Sequence, residues 1–465
     1  MLLSEREIRV PKPNANVGLL QHLATAVQDQ LGEDSYPVRI AVARTSDDEY
    51  VLELGTLSGS AECSFFPTCS IFDSVKRQYE HTDQFNAVLA IPTGIGAELG
   101  GHSGDAGPVA RLLAQACDTL ITHPNVVNAS DINELPENGL YVEGSVISRF
   151  LMGTVGLSRV RSNRVLMVMD EHEYAFFHEA AINSVSAARA ALGLDCPLVV
   201  KMEDKLLMRS LYSRSGRAVG SIEFLERLCE VLTVYRDEYD AVALSSVIQL
   251  PDHFHRDYFR DDRYDMVNPW GGVEAMLTHA VSMLFNVPSA HSPMMSSKEV
   301  LDLDVGIVDP RKSAETVSTT YLHCILKGLH RSPRLIPNAP LHGSPGLLTV
   351  ADCSCLIIPD GCIGLPTLAA LEQGIPVIAV HNKNCLGHSL SELPFGRGQL
   401  VTVDNYLEAV GVMTALRSGV ALDSVKRPMP STRVIAQGIE GIEDRAGRAS
   451  NRTSTSALNV KPDFS

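Results

Sequence analysis

Four side chains of this sequence have the chemistry of a general acid, a general base or a nucleophile: Asp105, His123, Glu143 and Cys362. Carboxylate and imidazole groups transfer protons, and a thiol at a helix start can become a nucleophilic thiolate. Plainer interpretations compete, because Asp105 could cap a helix, His123 could be held by backbone hydrogen bonds, and Cys362 could be a packing residue. The pattern contains no complete triad or metal quartet. It favours isomerase, lyase or transferase chemistry over redox chemistry and does not fix the reaction.

Metal and cofactor patterns are weak. The acidic run 170–173 follows a predicted strand, but such a loop is commonly just solvated, and we predict no metal site. Glu274 and His279 are five positions apart, hence offset by about 140° on a helix, which is unsuitable for ligating one metal together. The spacing of Gly94, Gly96 and Gly100 is one residue too long for the dinucleotide fingerprint, and no GxxxxGK[ST] is present. The cofactor stays unknown.

A glycine-rich loop, residues 93–107, is the most prominent candidate binding element. It has glycine at 94, 96, 100, 101, 104 and 107, between a predicted strand at 87–91 and a helix that begins near Pro108. Glycines let backbone amides approach an anion, and the helix start adds positive potential. We therefore predict ligand contacts from this loop. The residues are Thr93, Gly94, Gly96, Gly100, Gly101 and His102.

Three further loops carry candidate ligand contacts. The segment 123–128 follows a predicted strand at 119–122, the segment 268–274 begins a helix, and the segment 360–367 joins a strand to a helix. Short amides, helix starts and glycine turns at such places orient or bind small ligands. A turn near residue 291 and a predicted helix 309–329 add a histidine and an arginine. The residues are Asn125, Asn128, Asn268, Glu274, His291, Arg311, Asp360, Gly361 and Thr367.

Strands and helices alternate along the chain, which predicts an α/β protein with mostly parallel sheets and helices on both faces. We expect two Rossmann-like lobes and a small N-terminal α+β piece. The boundaries are 1–84 for the N-terminal helix and β-hairpin extension, 85–250 for the first lobe, 251–422 for the second, and 423–465 for a flexible tail. Because ligands bind at the carboxyl ends of parallel strands, the predicted loops should meet in one crevice.

Composition narrows the class of protein. The chain has 465 residues, a net charge of −16 and a pI near 5.4, so a nucleic-acid surface is not expected. No window holds eighteen consecutive apolar residues and the first ten lack the apolar core of a signal peptide, which predicts no membrane contact and a cytoplasmic location. The ten cysteines should be reduced, and the N-terminal piece is a candidate contact in a homo-oligomer.

The runs PTGIGAELGGHSGDAGPVARLLAQACDTLITHPNVVNAS, LYVEGS, NPWGGVEAMLTHAV, VPSAHSP and PRKSAETVSTTYLHCILKGL resemble an uncharacterised family of cyanobacteria, algae and other bacteria, over roughly residues 88–379. The resemblance implies no activity. Family members carry tyrosine where this chain has His102, which argues against a universal catalytic role for it. The run ADCSCLIIPDGCIGLPTLAALEQGIPVIAV resembles, at the level of fold, sugar-nucleotide-binding domains and aspartate/glutamate racemases.

Together these patterns predict an enzyme that acts on a small anionic metabolite, bearing phosphate or carboxylate, held by the glycine-loop amides in an inter-lobe crevice. One alternative is a cysteine-dependent, racemase-like enzyme, which needs Cys117 or another thiol opposite Cys362. The other is a non-catalytic metabolite-binding or assembly protein, which predicts a pocket that no titratable group faces.

Overall fold

The computed structural model describes residues 1–13, 18–32, 34–59, 65–251, 253–260, 266–302, 304–341, 345–432 and 434. The strands are β1 (Leu2–Pro11), β2 (Ser35–Thr45), β3 (Glu49–Ser58), β4 (Asn86–Leu89), β5 (Thr119–Thr122), β6 (Asn128–Ala129), β7 (Ile132–Asn133), β8 (Gly139–Tyr141), β9 (Val155–Ser158), β10 (Val165–Met169), β11 (Leu198–Lys201), β12 (Leu207–Tyr212), β13 (Ala218–Glu223), β14 (Ala241–Gln249), β15 (Ser289–Met294), β16 (Arg334–Pro337), β17 (Leu347–Leu348), β18 (Cys353–Pro359), β19 (Val377–Val380) and β20 (Leu400–Val403).

Helices connect these strands and cover the sheets. They are α1 (Leu19–Gln30), α2 (Gly107–Ala114), α3 (Pro124–Val127), α4 (Gly144–Leu151), α5 (Ala175–Leu192), α6 (Leu225–Val234), α7 (Phe254–Arg260), α8 (Gly271–Phe285), α9 (Lys298–Leu301), α10 (Leu322–His330), α11 (Leu365–Gln373) and α12 (Tyr406–Arg417). Short 3₁₀ turns lie at Arg236–Glu238, Ser313–Thr316, Val350–Asp352, Leu390–Glu392 and Leu422–Ser424.

One sheet of the described residues is parallel throughout and has the order β20-β19-β18-β4-β5-β8. Its central strands β4, β5, β18 and β19 are buried along their whole length, as expected when helices cover both faces of a parallel sheet. The predicted α/β class is confirmed. The glycine-rich loop, the segment 123–128 and the segment 360–364 all follow the carboxyl ends of its strands.

The second large sheet is mixed and has the order β11-β10-β14-β12-β13-β1-β3-β2, with β15 also paired to β14. Strands β10, β11, β14 and β15 run parallel, whereas β1, β2, β3 and β13 form antiparallel pairs. The N-terminal strands are therefore not a separate extension. Strand β1 pairs with β13, so β1, β2 and β3 belong to the same sheet as β14 and β15. Small sheets β16-β9-β17 and β6-β7 complete the described strands.

The strand order does not follow the predicted boundaries at residues 84 and 251. The parallel sheet combines β4, β5 and β8 with β18, β19 and β20, which come from the two predicted lobes. Residues Met1–Ser418 form one compact unit and Gly419–Ser465 another. Of the tail predicted for 423–465, residue 433 and residues 435–465 lie outside the described residues.

The helix predicted for 309–329 is wrong in its first half. Residues Ser313–Thr316 form a 3₁₀ turn, and α10 begins only at Leu322. The Asp309 carboxylate accepts hydrogen bonds from the backbone and side chain of Arg311. The contact from the amide of Arg311 is the one that a capping aspartate makes, but the residues that follow form a 3₁₀ turn instead of an α-helix.

Candidate functional site

A cavity of about 300 Å³ lies where the two large sheets approach each other. Its wall consists of residues that follow β4 and β5, the first turns of α4, α8 and α11, residues 38–41 of β2 and residues 290–294 of β15. Each of the four loops that the sequence analysis predicted to form a crevice contributes side chains to it. We call this space the central cavity.

The predicted site residues divide into two groups. Those that line the central cavity are Thr93, His123, Asn125, Asn128, Glu143, Asn268, Glu274, His291 and Cys362. Those that do not line it are Gly94, Gly96, Gly100, Gly101, His102, Asp105, Arg311, Asp360, Gly361 and Thr367. The glycine-rich loop thus contributes little of the wall beyond Thr93, Ile95 and Ser103.

The glycines of this loop are required by packing. A Cβ atom on Gly101 would lie 2.0 Å from the carbonyl oxygen of Ala97, and one on Gly104, whose φ is +80°, would lie 2.2 Å from the Cβ of Ala129. No side chain fits at such distances. These glycines were predicted to hold a ligand, but in the structure they let the loop fold tightly against the segment 123–128.

Several polar groups of the loop are occupied within the protein. The amide of Gly100 donates to Asp105 Oδ1 at 2.8 Å, and the amide of Leu99 donates to Asn382 Oδ1 at 2.9 Å. Asn125 Nδ2 donates to the carbonyl of Gly100 at 2.7 Å. Burial raises the pKa of Asp105 to about 7 against these hydrogen bonds. Asp105 therefore closes the loop on itself, and α2 begins without a side-chain cap.

His279 and Glu143 form the first of two imidazole–carboxylate pairs in the cavity wall. His279 Nδ1 lies 2.5 Å from Glu143 Oε1, which also accepts from Thr278 Oγ1 at 3.1 Å. Glu143 Oε2 caps α4 by accepting from the amide of Ser145 at 2.9 Å. Burial raises the pKa of Glu143, but His279 and these hydrogen bonds outweigh it and hold the pKa below its ordinary value. Glu143 is thus an ionised partner that fixes the orientation of the imidazole.

His291 and Glu274 form the second pair. His291 Nδ1 lies 3.0 Å from Glu274 Oε1, and Nε2 lies 2.8 Å from Ser246 Oγ on β14. The turn predicted near residue 291 is wrong, because His291 lies on β15 with a fully buried side chain. Glu274 keeps about a quarter of its side chain accessible. Glu274 and His279 therefore serve different pairs, on two flanks of α8.

Glu315 is a third carboxylate in the wall, and no sequence pattern indicated it. Its Oε1 accepts from the amide of Ser103 at 2.7 Å and from the hydroxyl of Tyr258 at 3.0 Å. Burial raises the pKa of Glu315 to about 7 against these hydrogen bonds. His102 Nδ1 lies 2.8 Å from the same hydroxyl. His102 does not line the cavity, and the hydroxyl of Tyr258 links its imidazole to Glu315, which does.

His123 lines the cavity as a neutral imidazole. Its Nε2 accepts a hydrogen bond from the amide of Ile91 at 3.0 Å, so the ring carries its proton on Nδ1. Burial lowers the pKa of His123 to about 4, an effect that Glu143 opposes and His279 strengthens. The backbone hydrogen bond agrees with the plainer interpretation of this residue, which is that it orders the ends of β4 and β5.

Two thiols, Cys324 and Cys362, line the cavity, whereas Cys117 does not. Burial raises the pKa of both, although the guanidinium of Arg217 acts in the opposite sense on Cys362. Cys324 Sγ donates to the carbonyl of Tyr321 at 3.3 Å. Both are therefore protonated thiols at neutral pH.

Two buried arginines also face the cavity, and the sequence analysis missed both. Arg39 on β2 donates from Nε to Glu5 Oε1 at 2.6 Å and from Nη1 to the carbonyl of Gly272 at 3.0 Å. Arg217, beside β13, donates from Nη1 to Glu53 Oε2 on β3. The sequence carried no signal for these pairs, because their members are 34 and 164 residues apart. Ser130, 2% exposed, adds a hydroxyl with no hydrogen-bond partner among the described residues.

The acidic segment 170–173 lies elsewhere. His172 Nε2 lies 2.9 Å from the carbonyl of Met295, and His178 Nε2 lies 2.9 Å from that of Asp170. Over the described part of the chain, no group of three or more His, Cys, Asp or Glu side chains is arranged to hold a metal ion. The imidazoles of His172 and His178, which follow β10, therefore hold backbone carbonyl groups in position.

Comparison with known proteins gives a family and no activity. A family model described as "Protein of unknown function (DUF3326)" matches residues 86–426. A protein of Synechococcus sp. named "Uncharacterized lipoprotein" is 33% identical over 340 residues, which are 72% of this chain and 91% of that protein. No solved structure gives a significant match. Within the described residues, no helix has the length and apolar character needed to cross a membrane.

Proposed function

This chain belongs to the DUF3326 family, and we propose that it is an enzyme that acts on a small anionic metabolite by general acid–base catalysis in the central cavity. The observation that carries the proposal is the pair of imidazole–carboxylate contacts, His279 with Glu143 and His291 with Glu274, in the wall of one cavity. A carboxylate that holds an imidazole in one orientation and tautomer is a recurring arrangement in acid–base catalysis.

The hydrogen bonds suggest which atoms react. His279 uses Nδ1 for Glu143, and no described residue bonds to its Nε2. Glu274 uses Oε1 for His291, and no described residue bonds to its Oε2. His291 has both ring nitrogens occupied. We therefore assign proton transfer to His279 Nε2 and Glu274 Oε2, with Glu143 and His291 as their positioning residues.

Two acid–base groups on separate flanks of α8 suit an isomerisation in which one removes a proton from carbon and the other returns it. Such a reaction needs an acidic C–H bond beside a carbonyl or carboxyl group, which agrees with an anionic substrate. Lyase and transferase reactions that begin with the same proton removal fit the same residues. The cofactor, if one is used, is not indicated by these groups.

The two alternatives have less support. A cysteine-dependent racemase needs two thiols that face the ligand, and Cys324 and Cys362 satisfy this in position. Their raised pKa values leave them without the thiolate that such a reaction requires. A non-catalytic binding or assembly protein predicts no titratable groups facing the pocket, whereas His123, Glu143 and Glu274 line it.

The test is proton exchange with solvent. The purified protein in ²H₂O is incubated with a panel of keto acids, amino acids and sugar phosphates, and the loss of substrate C–H signals is followed by ¹H NMR. We expect one class to exchange, and His279→Gln and Glu274→Gln each to slow the exchange by about 10²–10⁴-fold.

His81→Gln is the matched control. His81 Nδ1 lies 2.8 Å from Asp352 Oδ1, so it also belongs to an imidazole–carboxylate pair, but neither residue lines the cavity. This variant should exchange at the wild-type rate. A protein that binds panel members without any exchange would instead support the non-catalytic alternative.

The cellular location and the binding partners of the protein are proposals. A small-molecule partner without nucleic acid or membrane contact, a cytoplasmic location and a homo-oligomer are what the sequence predicts. The name of the Synechococcus relative raises a lipid-anchored location as the competing proposal. Fractionation of the native host separates the two, since a lipid-anchored protein sediments with membranes and is released by detergent.

A further inference from the structure

Arg217 is buried in the cavity wall with most of its hydrogen-bonding capacity unused. Its side chain is 6% exposed, and Nη1 donates to Glu53 Oε2. Among the described residues, Glu53 is the only hydrogen-bond partner of this guanidinium, which has five N–H donors. Because Arg217 lines the cavity, these donors are available to an acceptor that enters it.

Arg217 is also held in its charged form. Burial lowers the pKa of Arg217, but Glu5 and Glu53 outweigh burial and raise the pKa above its ordinary value. Glu53 itself is fixed, because its Oε1 accepts from Ser215 Oγ at 2.7 Å. The guanidinium is therefore a permanent, oriented cation at one place in the wall.

Arg39 is the second cation of this cluster. Three of its N–H groups are occupied, by Glu5 Oε1 and by the carbonyl of Gly272. Burial lowers the pKa of Arg39, an effect that Glu5 opposes and the charge of Arg217 strengthens. Both guanidinium groups line the central cavity. Oε2 of Glu5 has no partner among the described residues. The cluster thus combines two cations with two carboxylates that are directed toward them.

We propose that Arg217 binds the anionic group of the ligand through its unused N–H donors, and that the N-terminal strands β1–β3 position it. The guanidinium fork matches the two oxygens of a carboxylate or of a phosphate monoester. Arg217 and Cys362 line the same cavity. This inference rests on the proposed function and names the residue that selects an anionic substrate.

The positioning groups come from outside the matched region of the family. Glu5, Arg39 and Glu53 lie on β1, β2 and β3, whereas the family model begins at residue 86. Strand β2 also contacts the segment 360–364, because the amide of Val42 donates to the carbonyl of Ile363 at 2.7 Å. The matched region supplies Arg217, and the N-terminal strands supply the carboxylate that orients it. These strands are a specificity element of the site.

The test uses small anions as probes. Thermal unfolding of the full chain is followed in inorganic phosphate and in malonate, each against sodium chloride of equal ionic strength. We expect one of the two anions to stabilise the wild type in a saturable way, which also separates a phosphate subsite from a carboxylate subsite. Arg217→Met should weaken the apparent affinity at least tenfold, and Arg217→Lys by less.

Controls separate binding from folding. Arg209, exposed and paired with Glu223, does not line the cavity, so Arg209→Met should keep the wild-type response. Arg217→Met leaves Glu53 buried without its cation. The double variant Glu53→Gln/Arg217→Met removes both charges and should show the same loss of anion affinity. Glu53→Gln alone should weaken anion binding about threefold to tenfold, and a further rise in anion concentration should restore full stabilisation.

Two results would overturn the subsite. If neither anion stabilises the wild type, Arg217 is not an anion site, while the solvent-exchange test of the proposed function still stands or fails on its own. If an anion stabilises wild type and Arg217→Met equally, the anion binds elsewhere in the protein, and only the assignment to Arg217 is lost.

Discussion

The glycine-rich loop 93–107 and helix α8 are both prominent in the sequence and differ in the structure. In the loop, the carboxylate of Asp105 and the amides of Leu99 and Gly100 are bonded within the protein, and the glycines permit close packing. Along α8, Glu274 and His279 each use one side-chain atom for a partner and present another toward the cavity. Of these two segments, only α8 offers a ligand reactive side-chain atoms that have no hydrogen-bond partner among the described residues.

This difference shows what glycine content does and does not indicate. A glycine cluster signals close backbone approach, and the approaching group can be a ligand or another part of the chain. Here it is the chain, because Ala97 and Ala129 occupy the space beside Gly101 and Gly104. A site is better identified by polar atoms that the protein itself leaves without partners.

Substitution of the loop glycines should have the largest effect on stability. Gly101→Ala places a Cβ 2.0 Å from a backbone oxygen, and Gly104→Ala adds a side chain at φ +80° against Ala129. Each should lower the free energy of unfolding by about 3 kcal/mol or more, measured by urea denaturation. At Gly107 a Cβ would meet its nearest neighbour, the Cβ of Glu134, at 3.6 Å, so Gly107→Ala should change stability by less than about 1 kcal/mol. A Gly101→Ala protein that keeps wild-type stability and loses its ligand would restore the loop as a ligand cradle.

The pH dependence of stability can distinguish the loop from the cavity, because each contains one carboxyl with a pKa raised to about 7. These are Asp105 and Glu315. A carboxyl whose pKa is higher in the folded state binds its proton more tightly there, so stability falls as pH rises from the unfolded pKa to about 7. Each should contribute a loss on the order of 3 kcal/mol between pH 4.5 and pH 7.5.

Urea denaturation at several pH values measures this loss in Asp105→Asn and Glu315→Gln. Each variant should remove its own contribution to the pH dependence of stability, since the amide cannot ionise. Only Glu315→Gln should also alter the pH profile of solvent exchange, because Glu315 faces the cavity and Asp105 does not. An altered exchange profile in Asp105→Asn would mean that the loop takes part in the chemistry.

The smallest expected effect concerns the thiols. Cys324→Ser and Cys362→Ser should change the exchange rate by less than about threefold, because burial keeps both thiols protonated. The exchange assay measures this directly, with Cys117→Ser, outside the cavity wall, as the control. A loss of 10²-fold or more in either cavity variant alone would favour the cysteine-dependent racemase over the histidine and glutamate pairs.

Sequence patterns located many elements well. The strand predicted at 119–122 coincides with β5, and the predicted strand at 87–91 overlaps β4, because short apolar runs bounded by turn residues have one stable outcome in a parallel sheet. The helix predicted from Asp309 does not form, although the Asp309 carboxylate accepts from the amide of Arg311 as a capping residue does. The residues that follow form a 3₁₀ turn, so a local start signal can be satisfied without the α-helix that it predicts.

Amino-acid patterns were sufficient to predict the α/β class, the strands whose ends meet at the cavity and several residues of its wall, since these follow from periodicity and from the geometry of parallel sheets. The identity of the side-chain partners depends on the three-dimensional fold. His279 meets Glu143 across 136 residues, and Arg217 meets Glu53 across 164. Hydrogen bonding and desolvation act over a few ångströms in space, so the state of each group depends on neighbours that chain order does not reveal.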